Sequence, residues 1–566
     1  MRLLDARRLT GPNHLSRTPL VIVELALEAS ETLDAVRGAY ARELARMRVA
    51  LGFPADVSLL SRASRGGAVI GYEAPIDVML ACAEMSEWAA LSAAELLAER
   101  DALSLEPKRS EIREILRRDA CPRLLALAAE SARRALPLLW DDEHVSVGTG
   151  SRSRCWPRSA LPDVADVPWE SLGAIPVALV TGTNGKTTST RLLARIAREA
   201  GLRVGSASSD EIAVGAEVLD RGDWTGPAAA RNVLRRTDVD LAVLETARGG
   251  LLRRGLAVES CAAALITNVG DDHIGSYGID DLAGMTRVKA VVAEAVESTG
   301  TVVLNAHDDK LVALAPRLRA RVVFFADLDR DDPAARVVIA GARARGERPV
   351  VAEGGKILDG EEAVVDVAAV PITFGGAAAY NVENAVACVA LARALGIGHD
   401  AIVRGLTAFQ PSDNPRRGEL VERGGVRVLL DFGHNADGIR GVMQLVSALR
   451  EGHPGRLSVV AGAAGDRSEH DISEVTREIL AAKPDRVLLR ELGGYTRGRE
   501  PGEVPRMFAR ELATQGFPLE AVATVDSEVE ALRSVFDAAL PGDFVVVLVH
   551  LEQAAVHAFL DAAGAH

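Results

Sequence analysis

Short, uninterrupted apolar runs alternate with longer helical stretches through most of this chain. From Ile175 onward the runs are Val177–Val180, Leu241–Leu244, Ala263–Ile266, Val302–Leu304 and Val322–Phe325. Strands that are apolar along their whole length, without in–out alternation, are those buried on both faces. The pattern therefore predicts a mostly parallel sheet covered by helices. Between about residues 335 and 375 the chain turns Gly-punctuated and β-rich (Val350-Val351, Ala363-Val364-Val365, Ile372-Thr373-Phe374), which predicts an antiparallel appendage. A helix from Asn381 to about Leu395 follows, ended by Gly396. A second α/β unit begins near Leu420, with strands Val426–Leu430, Leu457–Val460, Val487–Leu489 and Phe544–Val549. Upstream, a strand-like run from Pro19 to Leu25 is mixed with Ala/Leu-rich helical stretches such as Ile76–Arg100. Residues 146–174 crowd Ser, Arg, Pro and Asp around Trp156 and Trp169 and read as a linker. The expected fold is α/β in three domains: a small α+β domain over 1–145, the linker 146–174, a central P-loop parallel-sheet domain over 175–412 and a Rossmann-like α/β domain over 413–566.

Length agrees with several domains, since 566 residues exceed what one hydrophobic core organises. The formal net charge of −14 argues against a dedicated nucleic-acid binder, which would show a basic face, but leaves room for a local anion pocket. Five scattered cysteines (Cys82, Cys121, Cys155, Cys261, Cys388) form no CxxC pair, so neither a disulfide framework nor a thiolate zinc site is expected. The chain has no uncharged apolar run of about 18 residues, and Met1-Arg2-Leu3-Leu4-Asp5 lacks a signal-peptide apolar region. No membrane association is expected, and the expected compartment is the reducing cytoplasm.

The sharpest local signal is Val177-Ala178-Leu179-Val180-Thr181-Gly182-Thr183-Asn184-Gly185-Lys186-Thr187-Thr188. An apolar strand enters a Gly-containing turn and then a helix, whose N–H groups and positive dipole end suit phosphate. Gly182, Thr183, Asn184, Gly185, Lys186, Thr187 and Thr188 are the expected nucleotide cradle, with Lys186 on the β/γ-phosphates and the Thr187 hydroxyl on Mg²⁺. Leu244-Glu245-Thr246 and Asn268-Val269-Gly270-Asp271-Asp272-His273 close neighbouring strands. Carboxylate and hydroxyl oxygens, helped by imidazole, suit a hard cation. Glu245, His273 and Thr187 are thus the Mg²⁺-site candidates, with Asn268 at the nucleotide.

The compact Gly182-Thr183-Asn184-Gly185-Lys186-Thr187 form has Val180, not Gly, six positions before Lys186; it resembles the Mur ligase and folylpolyglutamate synthase superfamily. The likeness sharpens at Thr225-Gly226-Pro227, at Leu244-Glu245-Thr246-Ala247-Arg248-Gly249-Gly250-Leu251-Leu252-Arg253, at Gly465-Asp466-Arg467 and at Arg497-Gly498-Arg499-Glu500-Pro501-Gly502-Glu503. With the opening Leu9-Thr10-Gly11-Pro12-Asn13, these resemble the N-terminal domain and Mur-like module of cyanophycin synthetases over almost the whole chain. The family's ATP-grasp module, which extends the aspartate backbone, has no counterpart between Leu136 and the phosphate loop. Only the Mur-type step remains. The N-terminal stretch Gly71-Tyr72-Glu73-Ala74-Pro75-Ile76 lacks the family's Gly-His and Glu-His pattern, which points to docking or assembly there.

The resemblance implies ATP and Mg²⁺ as cofactors and an acyl phosphate formed on a substrate carboxylate before an amino-acid amine attacks. It implies that Lys289 is carbamylated and helps hold a second Mg²⁺. Asp431-Phe432-Gly433-His434-Asn435 resembles the Asp-Tyr-Ala-His-Asn element that holds the nucleotide from the C-terminal domain, with Asp431 on ribose hydroxyls and His434 near the phosphates or the reacting carboxylate; Phe432 replaces Tyr. Arg417 matches the arginine that reaches the γ-phosphate. Lys186, Glu245, His273, Arg417 and His434 are the catalytic candidates. Arg248 and Gly249, then Arg497 and Arg499, are the substrate candidates. Site residues in both the central and C-terminal domains imply closure that excludes water. Three readings stay open: a cyanophycin-synthetase-like ligase on a peptide or polymer carboxylate; a Mur-type ligase of another pathway, with folate-like or dipeptide substrates; and a nucleotide-binding scaffold serving a separately encoded ligase. Amino-acid or peptide substrates are expected. A homo-oligomer fits the N-terminal domain's likeness to an assembly domain.

Overall fold

Apolar runs bounded by turns become strands where a sheet can cover them. The computed structural model describes residues 1–563 except 273, 274 and 276. It divides into two compact units, one of residues 1–325, 332–349 and 387–402, the other of residues 326–331, 350–386 and 403–566.

The first unit opens with a four-stranded antiparallel sheet in the order Arg2–Leu9, Leu20–Ala26, Gly67–Glu73, Leu60–Ser64. Alternate residues of a strand take opposite faces. Val21, Val23 and Leu25 join Ile70 and Tyr72 in a core shared with helices Leu33–Ala50 and Met79–Leu97, whereas Leu20 and Ile22 pack with Leu9 and Val69. Thr32 starts the first of these helices by accepting the Ala35 N–H. Beyond residue 137 a small antiparallel sheet forms from Leu138–Trp140, His144–Val147 and Arg154–Pro157. Leu161, Val167 and Leu172 then add to the same core.

The main sheet of this unit runs Glu217–Arg221, Glu211–Val214, Val204–Ala207, Leu241–Glu245, Val177–Thr181, Cys261–Ile266, Val296–Asn305, Arg321–Asp327. From Val204–Ala207 onward all neighbours are parallel; the first two strands form an antiparallel edge. Every residue of Val177–Thr181 and Leu241–Glu245 is buried, as their uninterrupted apolar character requires. Helices Lys186–Glu199 and Leu282–Glu294 pack on the sheet. Three adjacent strands therefore end at one edge, with Glu245, Thr181 and Ile266 at their tips. Pro333–Ala344, in the stretch expected to be β-rich, is a helix: Asp332 caps it, Pro333 opens it, and Ala335, Ile339 and Ala342 form its buried stripe.

In the second unit Val350–Glu353, Lys356–Asp359 and Glu362–Asp366 form the expected antiparallel strands. Ile372-Thr373-Phe374, expected to be β, is instead part of a 3₁₀ turn over Pro371–Gly376. Pro371 fixes the turn's start, and Phe374 and Gly375 take left-handed conformations at φ 51° and 69°. The helix read from Asn381 spans Ala379–Ala394. The unit's sheet runs Arg417–Arg423, Val426–Asp431, Phe544–Leu548, Leu457–Ala461, Arg486–Arg490, Val522–Val525, antiparallel at the first pair and parallel elsewhere. Leu429, Val459, Val487 and Val546 face helices Ala436–Leu449, Glu469–Ala481 and Glu503–Thr514. Leu430, Val460, Leu488 and Val547 face Glu528–Phe536 and Gln553–Ala563. No helix among the described residues is long and apolar enough to cross a membrane.

Candidate functional site

A strand that must turn at once into a helix needs glycine where the backbone is crowded. Gly182 has φ 153°, and a Cβ there would lie 1.8 Å from Thr267 Oγ1; Gly185, at φ 85°, caps helix Lys186–Glu199 in the left-handed region. The intervening loop is pinned by Asn268, whose Oδ1 accepts from the N–H of Thr183 at 3.1 Å and of Asn184 at 2.9 Å. Thr183 Oγ1 in turn accepts from Gly270 N–H at 2.8 Å. Asn268 thus shapes the cradle from the neighbouring strand. The Lys186 ammonium donates to Thr183 O at 2.8 Å, folded over the loop it would vacate for a phosphate. First-turn N–H groups of a helix lack helical acceptors, which makes this end attractive to anions.

Beside the loop, Thr187 Oγ1 donates to Glu245 Oε2 at 2.9 Å and lies 2.8 Å from Ser209 Oγ. Ser209 N–H also donates to Glu245 Oε2, at 3.1 Å. Glu245 is 3% exposed, yet its Oε1 is buried without a hydrogen-bond partner among the described residues. A buried carboxylate oxygen left unmet is costly, and a cation would meet it. Two hydroxyls and a carboxylate form an all-oxygen donor set suited to Mg²⁺, which takes one or two carboxylates and completes its shell with phosphate and water. No cluster of three or more His, Cys, Asp or Glu that could hold a metal ion occurs among the described residues. Ser209 was not among the residues the motifs indicated. His273 lies outside the described residues.

Lys289 is buried on helix Leu282–Glu294. Burial holds its amine well below the usual lysine range; Lys186 and Arg248 push it further down and Asp272 opposes them. The fold therefore brings Lys289, Lys186 and Arg248 within electrostatic reach of one another. Arg248 and Gly249 open the short helix Arg248–Arg253, directly after Glu245-Thr246-Ala247. Thr225-Gly226-Pro227 lies against it: a Cβ on Gly250 would sit 3.2 Å from Gly226 Cα and from Thr225 O. The N-terminal segment closes on its other end. Arg7 Nε donates to Leu252 O at 3.1 Å, Thr10 N–H to Arg254 O at 2.7 Å, and Leu256 N–H to Pro12 O at 2.8 Å. A Cβ on Gly11 would lie 2.1 Å from Leu256 O, so only glycine fits that seam.

In the second unit Asp431, at the end of Val426–Asp431, accepts from Gly418 N–H at 2.8 Å and Gly433 N–H at 2.7 Å, one on each carboxylate oxygen. Burial pushes its carboxyl up to about 6 despite those donors and the Arg417 charge. Arg417 starts strand Arg417–Arg423 opposite Asp431. The Arg416 and Arg417 guanidinium carbons lie 5.2 and 5.1 Å from the centre of the Phe432 ring, so this phenyl stacks with cations without needing a hydroxyl. His434 Nδ1 lies 3.2 Å from Phe432 O, a carbonyl that only accepts, which puts the proton on Nδ1. Arg497 and Arg499 lie elsewhere in this unit. Arg497 stacks on Tyr495, and Arg499 donates to Gly465 O, Arg467 O and Glu503, bracing the Gly465-Asp466-Arg467 turn.

Residues 180–392 match the Mur ligase middle domain, and residues 416–549 the Mur ligase glutamate ligase domain. The cyanophycin synthetase of Synechocystis sp. is 36% identical over 399 residues, 69% of this chain and 44% of that protein, so the chain spans less than half the length of this relative. In fold it is similar to E. coli FolC in complex with ADP (TM-score 0.50, 19% identity, covering 69% of this chain and 90% of that one). It is similarly like the bifunctional folylpolyglutamate synthase/dihydrofolate synthase from Yersinia pestis complexed with AMPPNP and a Mn ion (TM-score 0.50, 20% identity, covering 68% and 89%).

Proposed function

The chain belongs to the Mur ligase family, and from that premise we propose that it is an ATP-dependent ligase that joins the carboxylate of an amino-acid or peptide substrate to an amino-acid amine, in the manner of the Mur-like module of cyanophycin synthetase. One observation carries the reading: beside a glycine-shaped phosphate loop, Thr187 and Ser209 converge on Glu245, whose second oxygen is buried and unmet among the described residues. The ADP, AMPPNP and Mn named for structures of like fold support a nucleotide and a metal ion as ligands.

In the reaction a carboxylate oxygen attacks the γ-phosphorus and ADP leaves, giving an acyl phosphate. The amine nitrogen then attacks the acyl carbon, loses a proton and expels inorganic phosphate. Phosphoryl transfer asks the protein mainly for positioning and charge neutralisation. The loop amides and Lys186 hold the phosphates, with Lys186 releasing Thr183 O to do so. Thr187, Ser209 and Glu245 would hold Mg²⁺, which supplies neutralising charge to the phosphates when bound. Arg248 offers a guanidinium to the substrate carboxylate. From the second unit Asp431 is assigned to the ribose and Arg417 to the γ-phosphate. Lys289, whose amine burial holds well below the usual lysine range, is suited to add CO₂ with loss of a proton and become a carbamate, placing an anion beside Lys186. A reaction that consumes ATP fits the cytoplasm.

The test is phosphate release screened over pairs of carboxylates and amino acids. Amine-dependent release that a Lys186→Ala protein has lost by orders of magnitude, with its circular dichroism and melting retained, supports the ligase. Nucleotide binding without turnover on any pair means a scaffold instead.

A further inference from the structure

Outside these motifs, the turn after strand Phe544–Leu548 carries His550, half-buried at the tip of the second unit's sheet. Three strands contribute to its surroundings. Arg490, the last residue of Arg486–Arg490, forms an ion pair with Glu528, and both side chains are 1% exposed. Glu528 also accepts the backbone N–H groups of His550 at 2.7 Å, Leu551 at 3.2 Å and Glu552 at 2.7 Å, fixing the turn. Arg490 Nη2 reaches across the intervening strand to donate to Leu548 O at 3.1 Å and to His550 Nδ1 at 2.8 Å. That crossing requires a glycine at the exit of Leu457–Ala461, because a Cβ on Gly462 would lie 2.6 Å from Arg490 O and 3.2 Å from its Cγ.

A guanidinium has donors and no acceptor, so Nδ1 must carry the lone pair and the proton must sit on Nε2. Nε2 lies 3.2 Å from Gly433 O. The tautomer is thereby fixed by chemistry, and burial beside Arg490 keeps the ring neutral. Gly433 then has both polar groups committed, its N–H to Asp431 Oδ1 and its carbonyl to His550. The His550 ring also meets Phe432 edge-on, at 5.2 Å and 69°, and Phe432 carries the stacked Arg416 and Arg417.

We propose that His550 is a positioning residue for the nucleotide. Glu528 and Arg490 present its Nε2–H to Gly433, and this holds the Asp431-Phe432-Gly433-His434 loop, and through Phe432 the Arg417 guanidinium, in the binding geometry. The proposal rests on the reading of this loop as a nucleotide-binding element.

Two substitutions in the full chain divide the bridge. His550→Gln places an amide N–H near the Nε2 level and can still serve Gly433, but offers Arg490 nothing at the Nδ1 level. His550→Asn keeps an acceptor for Arg490 and is too short for Gly433. ADP affinity by calorimetry and melting temperature are measured for both. The expected result is His550→Gln within about twofold of the wild type and His550→Asn weaker by about three- to tenfold, the size of one lost hydrogen bond, with His550→Asn melting no lower than His550→Gln. Equal affinities in the two variants, or losses that follow melting temperature alone, overturn the proposal. Should both variants fail to fold, Gly462→Ala decides: weakened ADP binding supports the bridge and unchanged binding overturns it. A wild-type chain that binds no ADP is a different failure, which removes the nucleotide reading and this proposal with it.

Discussion

Replacing Glu245 by Gln removes a charge while keeping the shape of the side chain, and the structure sets what each loss should cost. The amide oxygen can still accept from Thr187 at 2.9 Å and from Ser209 N–H at 3.1 Å, so the packing survives. At the other position a carboxylate oxygen, buried and unmet among the described residues, becomes a neutral amide NH₂, and an unmet buried group costs about 1–3 kcal/mol, more when it is charged. Without nucleotide the variant should therefore be as stable as the wild type or more so, each 1 kcal/mol raising Tm by about 2–4 °C in a domain of roughly 200 residues. With Mg²⁺ and ADP at a hundred times Kd the wild type should gain about 2.7 kcal/mol, and most of that gain should vanish in the variant. Phosphate release should fall by about 10²–10³-fold, the usual loss when a preorganised electrostatic group is removed. Paired melting curves with and without Mg·ADP, together with release rates across Mg²⁺ concentrations, read all three effects. A Glu245→Gln protein that melts several degrees lower without ligand, yet turns over with the wild-type Mg²⁺ dependence, would make Glu245 a buried structural residue and refute the reasoning.

Gly182→Ala should destabilise the first unit by about 1–3 kcal/mol, through the overlap with Thr267 Oγ1, and weaken nucleotide binding; urea unfolding and ADP calorimetry read both. Lys289 should show a carbamate carbon resonance when the protein is equilibrated with ¹³C-bicarbonate, and Lys289→Arg should abolish both that signal and any bicarbonate dependence of phosphate release. The His557 imidazole, raised by its hydrogen bond to Glu419 3.0 Å away, ties helix Gln553–Ala563 to strand Arg417–Arg423. Because the folded pKa lies above the unfolded value of about 6.5, its stabilisation is complete below that pH and is lost as pH rises through the raised folded value. The stability difference between wild type and His557→Gln should thus be largest near pH ~6 and shrink toward pH ~9.

Strands buried on both faces were the easiest elements to read, because their burial writes itself as an apolar run. Val177–Val180 was read from the sequence and Val177–Thr181 is observed. The edge strands carried no such mark. Glu217–Arg221 is exposed at every position, and Arg417–Arg423 reads Arg-Gly-Glu-Leu-Val-Glu-Arg, so neither stood out from a polar loop. Ile372-Thr373-Phe374 misled in the opposite direction: β-branched and aromatic residues suggested a strand, but Pro371 before them and two glycines after them wind the segment into a turn. The same division holds at the site. Lys186 and Thr187 are legible because phosphate chemistry constrains consecutive residues. Ser209 follows a short strand in a Ser-Ser-Asp turn, and only the parallel pairing of Val204–Ala207 with Leu241–Glu245 carries it to Glu245. The resemblance pointed to Lys289, but nothing in Arg287-Val288-Lys289 marks it as buried; its burial arises from how helix Leu282–Glu294 lies on the sheet.

The seam where Gly11 presses on Leu256 has a consequence for anyone dissecting this enzyme. Arg7, through its side chain, and Thr10 and Pro12, through their main chain, partner the end of helix Arg248–Arg253 and the turn that follows it, so this N-terminal segment braces the stretch that carries Arg248. A shortened protein starting downstream of Asn13 would strip the Arg254 carbonyl and the Leu256 amide of their mates. Such a fragment would report on a ligase in which the stretch carrying Arg248 is loosened, and its kinetics should not be credited to the intact molecule.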